Sequence, residues 1–133
     1  MLVLDTHVLI WLVEGNDRLG STALKEIDSA MANKELAVAS ISFWEVAMLI
    51  EKKRLVCTME PDVWRNDLLQ NGLREIPLTG SIAICAGQLQ GFHGDPADRM
   101  IASTAMDNGA FLVTADKKIL GWQGPLRRID ASK

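Results

Sequence analysis

Apolar positions in this chain fall into short unbroken runs, separated by stretches in which they recur every three or four residues. That pattern predicts buried strands alternating with helices. Met1 to Leu4 is a run of the first kind and ends at Asp5, with a helical stretch from about His7 to Val13. Ser21 opens a helix in which Leu24, Ile27 and Met31 share one face. Leu36 to Ala39 reads as a second strand, and Ser42 begins a helix running to about Arg54. Pro61 suits a first helical turn, ahead of a stripe of Val63, Trp64, Leu68 and Leu69. Leu73 to Leu78 predicts a third strand and Gly80 to Leu89 a helix. Asp95-Pro96-Ala97-Asp98 has the form of a helix start: a cap, a proline at the first position and an acid at the third. That helix continues through Met106 and ends at Asn108-Gly109. Ala110 to Val113, Ala115 to Leu120 and Leu126 to Ile129 complete the alternation as strand, short helix and strand.

Strands this apolar predict no wet face. The expected fold class is therefore α/β, with a mostly parallel sheet covered on both sides and its sites at the carboxyl ends of the strands. No repeat, low-complexity tract or Pro/Gly/Ser-rich linker divides the 133 residues, so one domain over 1–133 is expected. With 48% apolar and 23% charged residues, the chain can build a core without disulfides or structural zinc. Cys57 and Cys85 lack metal-ligand spacing and are expected as reduced, buried thiols. The run from Met1 to Val13 carries Asp5 and His7 and has neither a basic leader nor a cleavage site. No window reaches the roughly 18 uncharged apolar residues of a membrane span. A cytoplasmic protein without membrane association is the expectation. The charge sum, 14 Lys and Arg against 17 Asp and Glu, gives −3 and counts against a nucleic-acid binder, which is expected to be basic.

The positions of four acids change that picture. Asp5 closes the first strand and Asp116 follows the strand that ends near Val113, while Glu45 and Asp98 fall early in helices that follow loops at the same edge. Taken singly, Asp5, Asp98 and Asp116 have an ordinary explanation as helix caps, and Asp95 still more so. Glu45 does not. Its helix, Ile41-Ser42-Phe43-Trp44-Glu45-Val46-Ala47-Met48-Leu49-Ile50, is apolar nearly all round, and Lys52 lies too far along the axis to pair with it. An ionised carboxylate in such a helix is costly unless paired or metal-bound. In a parallel sheet the four carboxylates converge on one crevice, where they repel one another unless a cation is present. Oxygen ligands select a hard divalent ion, Mg2+ or Mn2+, and neither histidine has the spacing of a zinc site. Such a site without a phosphate-cradling loop points to metal-assisted phosphodiester hydrolysis. There is no P-loop, no dinucleotide fingerprint and no nucleophile elbow.

Four segments in order carry a resemblance: Met1-Leu2-Val3-Leu4-Asp5-Thr6-His7, Ser42-Phe43-Trp44-Glu45-Val46-Ala47, His93-Gly94-Asp95-Pro96-Ala97-Asp98-Arg99 and Leu112-Val113-Thr114-Ala115-Asp116. Together they resemble the PIN-domain family, most closely the VapC-type toxin ribonucleases of toxin–antitoxin pairs. The resemblance spans essentially the whole chain. It implies a three-layer α/β/α fold with about five parallel strands, Mg2+- or Mn2+-dependent cleavage of RNA, a small antitoxin that blocks the site, and a homodimer. Matched position by position, Asp5 and Asp98 correspond to direct metal ligands. Glu45 and Asp116 correspond to the acids that hold metal through water or orient the nucleophile. Thr6, Ser42 and Thr114 correspond to supporting hydroxyls, and Arg99 to a phosphate contact or a partner of Asp95. His93 is read as loop architecture. Two departures stand out: Ala97 replaces an aromatic, and Lys53 stands where a glycine is common.

Trp11, Trp44 and Trp64 are expected in the core or a subunit interface, and Trp122, between Gly121 and Gln123-Gly124, in an exposed loop. Lys52-Lys53-Arg54, Lys117-Lys118 and Arg127-Arg128 are basic clusters that suit solvent or, beside the acids, an RNA backbone. Two other readings remain: a catalytically silent module of the same fold that binds RNA or antitoxin, and another Mg2+-dependent phosphohydrolase. The second needs an aspartate where His7 stands.

Overall fold

The computed structural model describes residues 1–133. Its strands are β1 (Leu2–Leu4), β2 (Leu36–Ala39), β3 (Arg74–Ile76), β4 (Phe111–Thr114) and β5 (Arg127–Asp130). Its helices are α1 (Thr6–Glu14), α2 (Ser21–Ala32), α3 (Ser40–Glu51), α4 (Pro61–Gln70), α5 (Gly80–Gln88), α6 (Pro96–Asp107) and α7 (Lys117–Leu120). The strands form one five-stranded sheet in the order β3-β2-β1-β4-β5. Every neighbouring pair is parallel. This is the α/β fold expected from the sequence.

Strand periodicity divides the core between the two faces of the sheet. Leu2 and Leu4 of β1 point to one side, with Val8 and Leu9 of α1, Ile27 of α2, Val46 of α3 and Trp64 of α4. Val3 points to the other, with Ile101, Ala102 and Ala105 of α6 and Ile119 of α7. Strand β1 pairs with β2 on one side (Val3 opposite Ala37) and β4 on the other (Val3 opposite Leu112). From β1 the chain first builds outward through β2 to β3, then returns to lay down β4 and β5. The order therefore reverses between β1 and β4, and a crevice opens there beyond the carboxyl ends of the strands.

Several expectations need correction. The edge strands are wet: Arg74 on β3 and Arg127 on β5 are exposed, and such charges block edge-to-edge pairing. Leu24 of α2 faces solvent, because the inward stripe is Ala23, Ile27 and Ala30. Val63 of α4 is likewise exposed, leaving Trp64 as the buried anchor. Only Ser42 and Val46 of α3 are buried, and Trp44 is 55% exposed. Trp122 is the reverse case. Its ring is buried edge-on against Phe92 at 5.1 Å between centroids, and its Nε1 donates to Gln90 O. Cys57 and Cys85 are free thiols as expected, but only half-buried.

Lys53 has φ 57°, in the left-handed region. Helix α3 ends there in a Schellman turn: Lys53 N–H donates to Ile50 O and Arg54 N–H to Leu49 O. A glycine would adopt this conformation without a Cβ penalty. No helix is long and apolar enough to cross a membrane.

Candidate active site

The β1–β4 crevice gathers the acids singled out in the sequence. Asp5, the residue after β1, is only 2% exposed. It caps α1 through Oδ1, which accepts from Thr6 N–H at 2.8 Å, while its Oδ2 accepts from the Thr114 hydroxyl at 2.7 Å. Thr114 Oγ1 in turn accepts from Asp116 N–H at 3.1 Å, so one hydroxyl ties the end of β1 to the end of β4. Asp116 caps α7 through Oδ1, accepting from Lys118 N–H and Ile119 N–H, and its Oδ2 stays clear of these bonds. Thr6 Oγ1 lies 2.5 Å from Glu45 Oε1 and 2.9 Å from Ser42 Oγ. With one proton to donate, the Thr6 hydroxyl serves the carboxylate and receives from Ser42. Glu45 belongs to the second turn of α3, since that helix begins at Ser40. Its half-buried state comes from the crevice and not, as expected, from a helix buried all round.

Asp98 is the third residue of α6, its N–H donating to the cap Asp95 Oδ1 at 3.1 Å. Ligand atoms of Asp98, Asp116 and His93 lie within 4.8 Å of one another. Asp98 and Asp116 line a polar cavity of about 550 Å3 together with His93, Gly94, Asp95, Lys117 and Lys118. The ordinary capping roles of Asp5, Asp95 and Asp116 thus coexist with convergence on one place. The capping oxygens of Asp5 and Asp95 each keep a further lone pair, and Asp116 keeps its Oδ2.

Electrostatics agree with the geometry. Burial pushes the Asp98 carboxyl up to about 8, and Asp5, Asp95, Glu45 and Asp116 add repulsion. Burial likewise raises Asp5, against the opposing His7 and the hydrogen bonds from Thr114 and Thr6. Glu45 is raised by burial and by Asp5 and Asp95, against the Thr6 hydrogen bond. No lysine or arginine forms an ion pair with any of the four. Oxygen donors this dense in negative charge, and this short of cationic partners, suit a hard divalent cation. Lys52 does not neutralise Glu45.

Arg99 forms no ion pair with Asp95. Its guanidinium donates to four main-chain carbonyls, those of Ala86, Leu89, Phe92 and His93, and so clamps the segment between α5 and α6. Four of its five N–H donors are spent on these carbonyls. Two residues at the site had no site role in the sequence reading. His7 Nε2 accepts from Ala115 N–H at 3.0 Å, and its Nδ1 lies 3.6 Å from Asp5 Oδ2. His93 Nε2 lies 3.3 Å from Asp98 Oδ2. The available signal was placement, since each histidine sits within five residues of an acid at a helix start.

A second cavity, about 280 Å3, is lined mainly by apolar residues including Ile10, Val13, Val46, Leu55 and Trp64. It lacks a comparable set of acids.

Comparison with known proteins agrees with this fold. The PIN domain profile matches residues 2–121. The chain is 37% identical to ribonuclease VapC22 of Mycobacterium tuberculosis over 125 residues, 93% of each chain. In structure it resembles VapBC2 of Rickettsia felis bound to a promoter DNA fragment, with TM-score 0.71, 20% identity and 96% of each chain covered. It also resembles DNA-bound VapBC of Salmonella typhimurium, with TM-score 0.71, 18% identity and coverage of 97% and 96%.

Proposed function

The chain belongs to the PIN-domain family, and from that premise we propose that it is a VapC-type endoribonuclease, the toxin of a toxin–antitoxin pair. The observation that carries this reading is the repulsion that Asp5, Glu45 and Asp116 exert on Asp98 at the β1–β4 crevice, none of the four having a Lys or Arg partner. Asp5 and Asp98 are the direct metal ligands. Glu45 and Asp116 complete the set through water or by orienting the nucleophile. Mg2+ or Mn2+ held there supplies Lewis-acid stabilisation of the charge that develops on a phosphodiester during hydrolysis.

The chain's own residues do the positioning. Thr114 and the Thr6 N–H hold both oxygens of Asp5 in one orientation. The Thr6 hydroxyl, backed by Ser42, fixes Glu45. Burial of Asp5 excludes bulk water from the centre of the acid set. Lys117 and Lys118, on the rim of the polar cavity, meet backbone phosphates of the RNA. The partners this reading entails are an RNA substrate, a small antitoxin that blocks the crevice, and a second copy of the chain. Exposed Trp44 on α3 suits a protein contact.

The test is cleavage of single-stranded RNA by the purified chain with Mg2+ or Mn2+. Asp5→Asn and Asp98→Asn are each expected to reduce the rate at least about 100-fold while leaving the far-UV circular dichroism unchanged. A variant that cleaves at the wild-type rate overturns the assignment.

A further inference from the structure

The crevice contains one buried side-chain polar atom without a hydrogen-bond partner, His93 Nε2. The rest of that residue is held unusually firmly for a loop side chain. Its ring stacks on Phe92, 4.8 Å between centroids and 21° between planes, and Trp122 closes on the far partner of that stack. Its carbonyl, with those of Ala86, Leu89 and Phe92, is gripped by Arg99. Its Nδ1 accepts from Asp95 N–H at 3.4 Å. A neutral imidazole that accepts at Nδ1 carries its proton on Nε2. That N–H faces Asp98 Oδ2 at 3.3 Å.

We propose that His93 is a positioning residue for Asp98: its Nε2–H donates to Oδ2 and turns the other carboxylate oxygen toward the metal. This rests on the metal-site reading given above. The alternative use of the same atoms, His93 as a nitrogen ligand beside Asp98 and Asp116, needs a bare Nε2 and a proton on Nδ1. The proton on Nδ1 would then oppose the Asp95 N–H. Arg99 and Trp122 thereby acquire a purpose at the site: they fix the loop from which the imidazole is presented.

The experiment is Mn2+ titration of the full chain by calorimetry, read alongside pulsed electron paramagnetic resonance of bound Mn2+. A glutamine amide nitrogen can take the place of Nε2, whereas an asparagine stops at the place of Nδ1. His93→Asn and His93→Ala are expected to weaken Mn2+ binding about 10-fold, with His93→Gln within about 3-fold of wild type. Circular dichroism and thermal melting establish that each variant is folded. Wild-type affinity in His93→Asn overturns the proposal. So does equal weakening in His93→Gln, which would assign the effect to ring packing on Phe92. Imidazole nitrogen coupling to Mn2+ in the wild type that vanishes in His93→Ala overturns it in favour of direct ligation. If the wild type itself binds no Mn2+ and cleaves no RNA, the metal-site reading falls, and this proposal with it.

Discussion

Asp98 shows how far a single residue's chemistry can be set by what surrounds it. Unfolded, its carboxyl titrates near 4; in the fold, burial and four neighbouring acids hold it at about 8. Below pH 4 the group is protonated in both states and costs nothing. As pH rises from about 4 toward 8 the unfolded chain releases the proton freely while the folded chain resists, so stability is lost across that window. In EDTA, Asp98→Asn is therefore expected to melt above wild type by a margin that grows from pH 5 to pH 8. Mg2+ or Mn2+ at pH 8 should narrow that margin by raising the wild type. A margin that shrinks as pH rises, with EDTA present, would contradict this account. Lys53 illustrates strain of another kind. At φ 57° its Cβ is disfavoured, and Lys53→Gly should raise the urea midpoint by up to about 1 kcal/mol of stability, with an unchanged m-value.

At the level of elements, the strands and the acids were legible because each has a local signature. Leu2–Leu4, Leu36–Ala39 and Phe111–Thr114 are apolar runs of strand length, and Asp5, Asp98 and Asp116 stand where chain turns from strand or loop into helix. The loop between α5 and α6 was not legible. Arg99 is satisfied by main-chain carbonyls, which leave no mark on a sequence, and so it reads as a free cation. Trp122, between glycines and polar residues, reads as exposed. It is buried because Phe92 offers it an edge, Gln90 O accepts from its indole N–H, and Arg128 grips its carbonyl. Leu24 misleads in the opposite direction, since the face of α2 that meets the sheet carries Ala23, Ile27 and Ala30. The support of Trp122 is sharply limited by Gly124, where a Cβ would lie 2.1 Å from the indole ring. Gly124→Ala should displace that ring, lower stability by about 1–3 kcal/mol and shift the tryptophan fluorescence. An unperturbed melting point and spectrum would show that the loop does not depend on it.

For the whole molecule, the meaning of the net charge depends on where the acids lie. With Asp5, Glu45, Asp98 and Asp116 set aside as a cation-holding group, 13 acidic side chains remain against 14 basic ones. The net negative charge that argued against nucleic acid is thus accounted for by one crevice, and the remaining side chains come close to balance. Lys117 and Lys118 bring positive charge to the rim of that crevice.

The central place of β1 also imposes an order in time. As the chain is synthesised, β1 can find β2 once residue 39 has emerged, but its other edge stays bare until β4 has been made. Asp5 precedes by 109 positions the residue whose hydroxyl orients it, Thr114. The two halves of the crevice meet only when the sheet closes across β1 and β4. The crevice is therefore incomplete on a growing chain until β4 has been made, and it forms only at that closure.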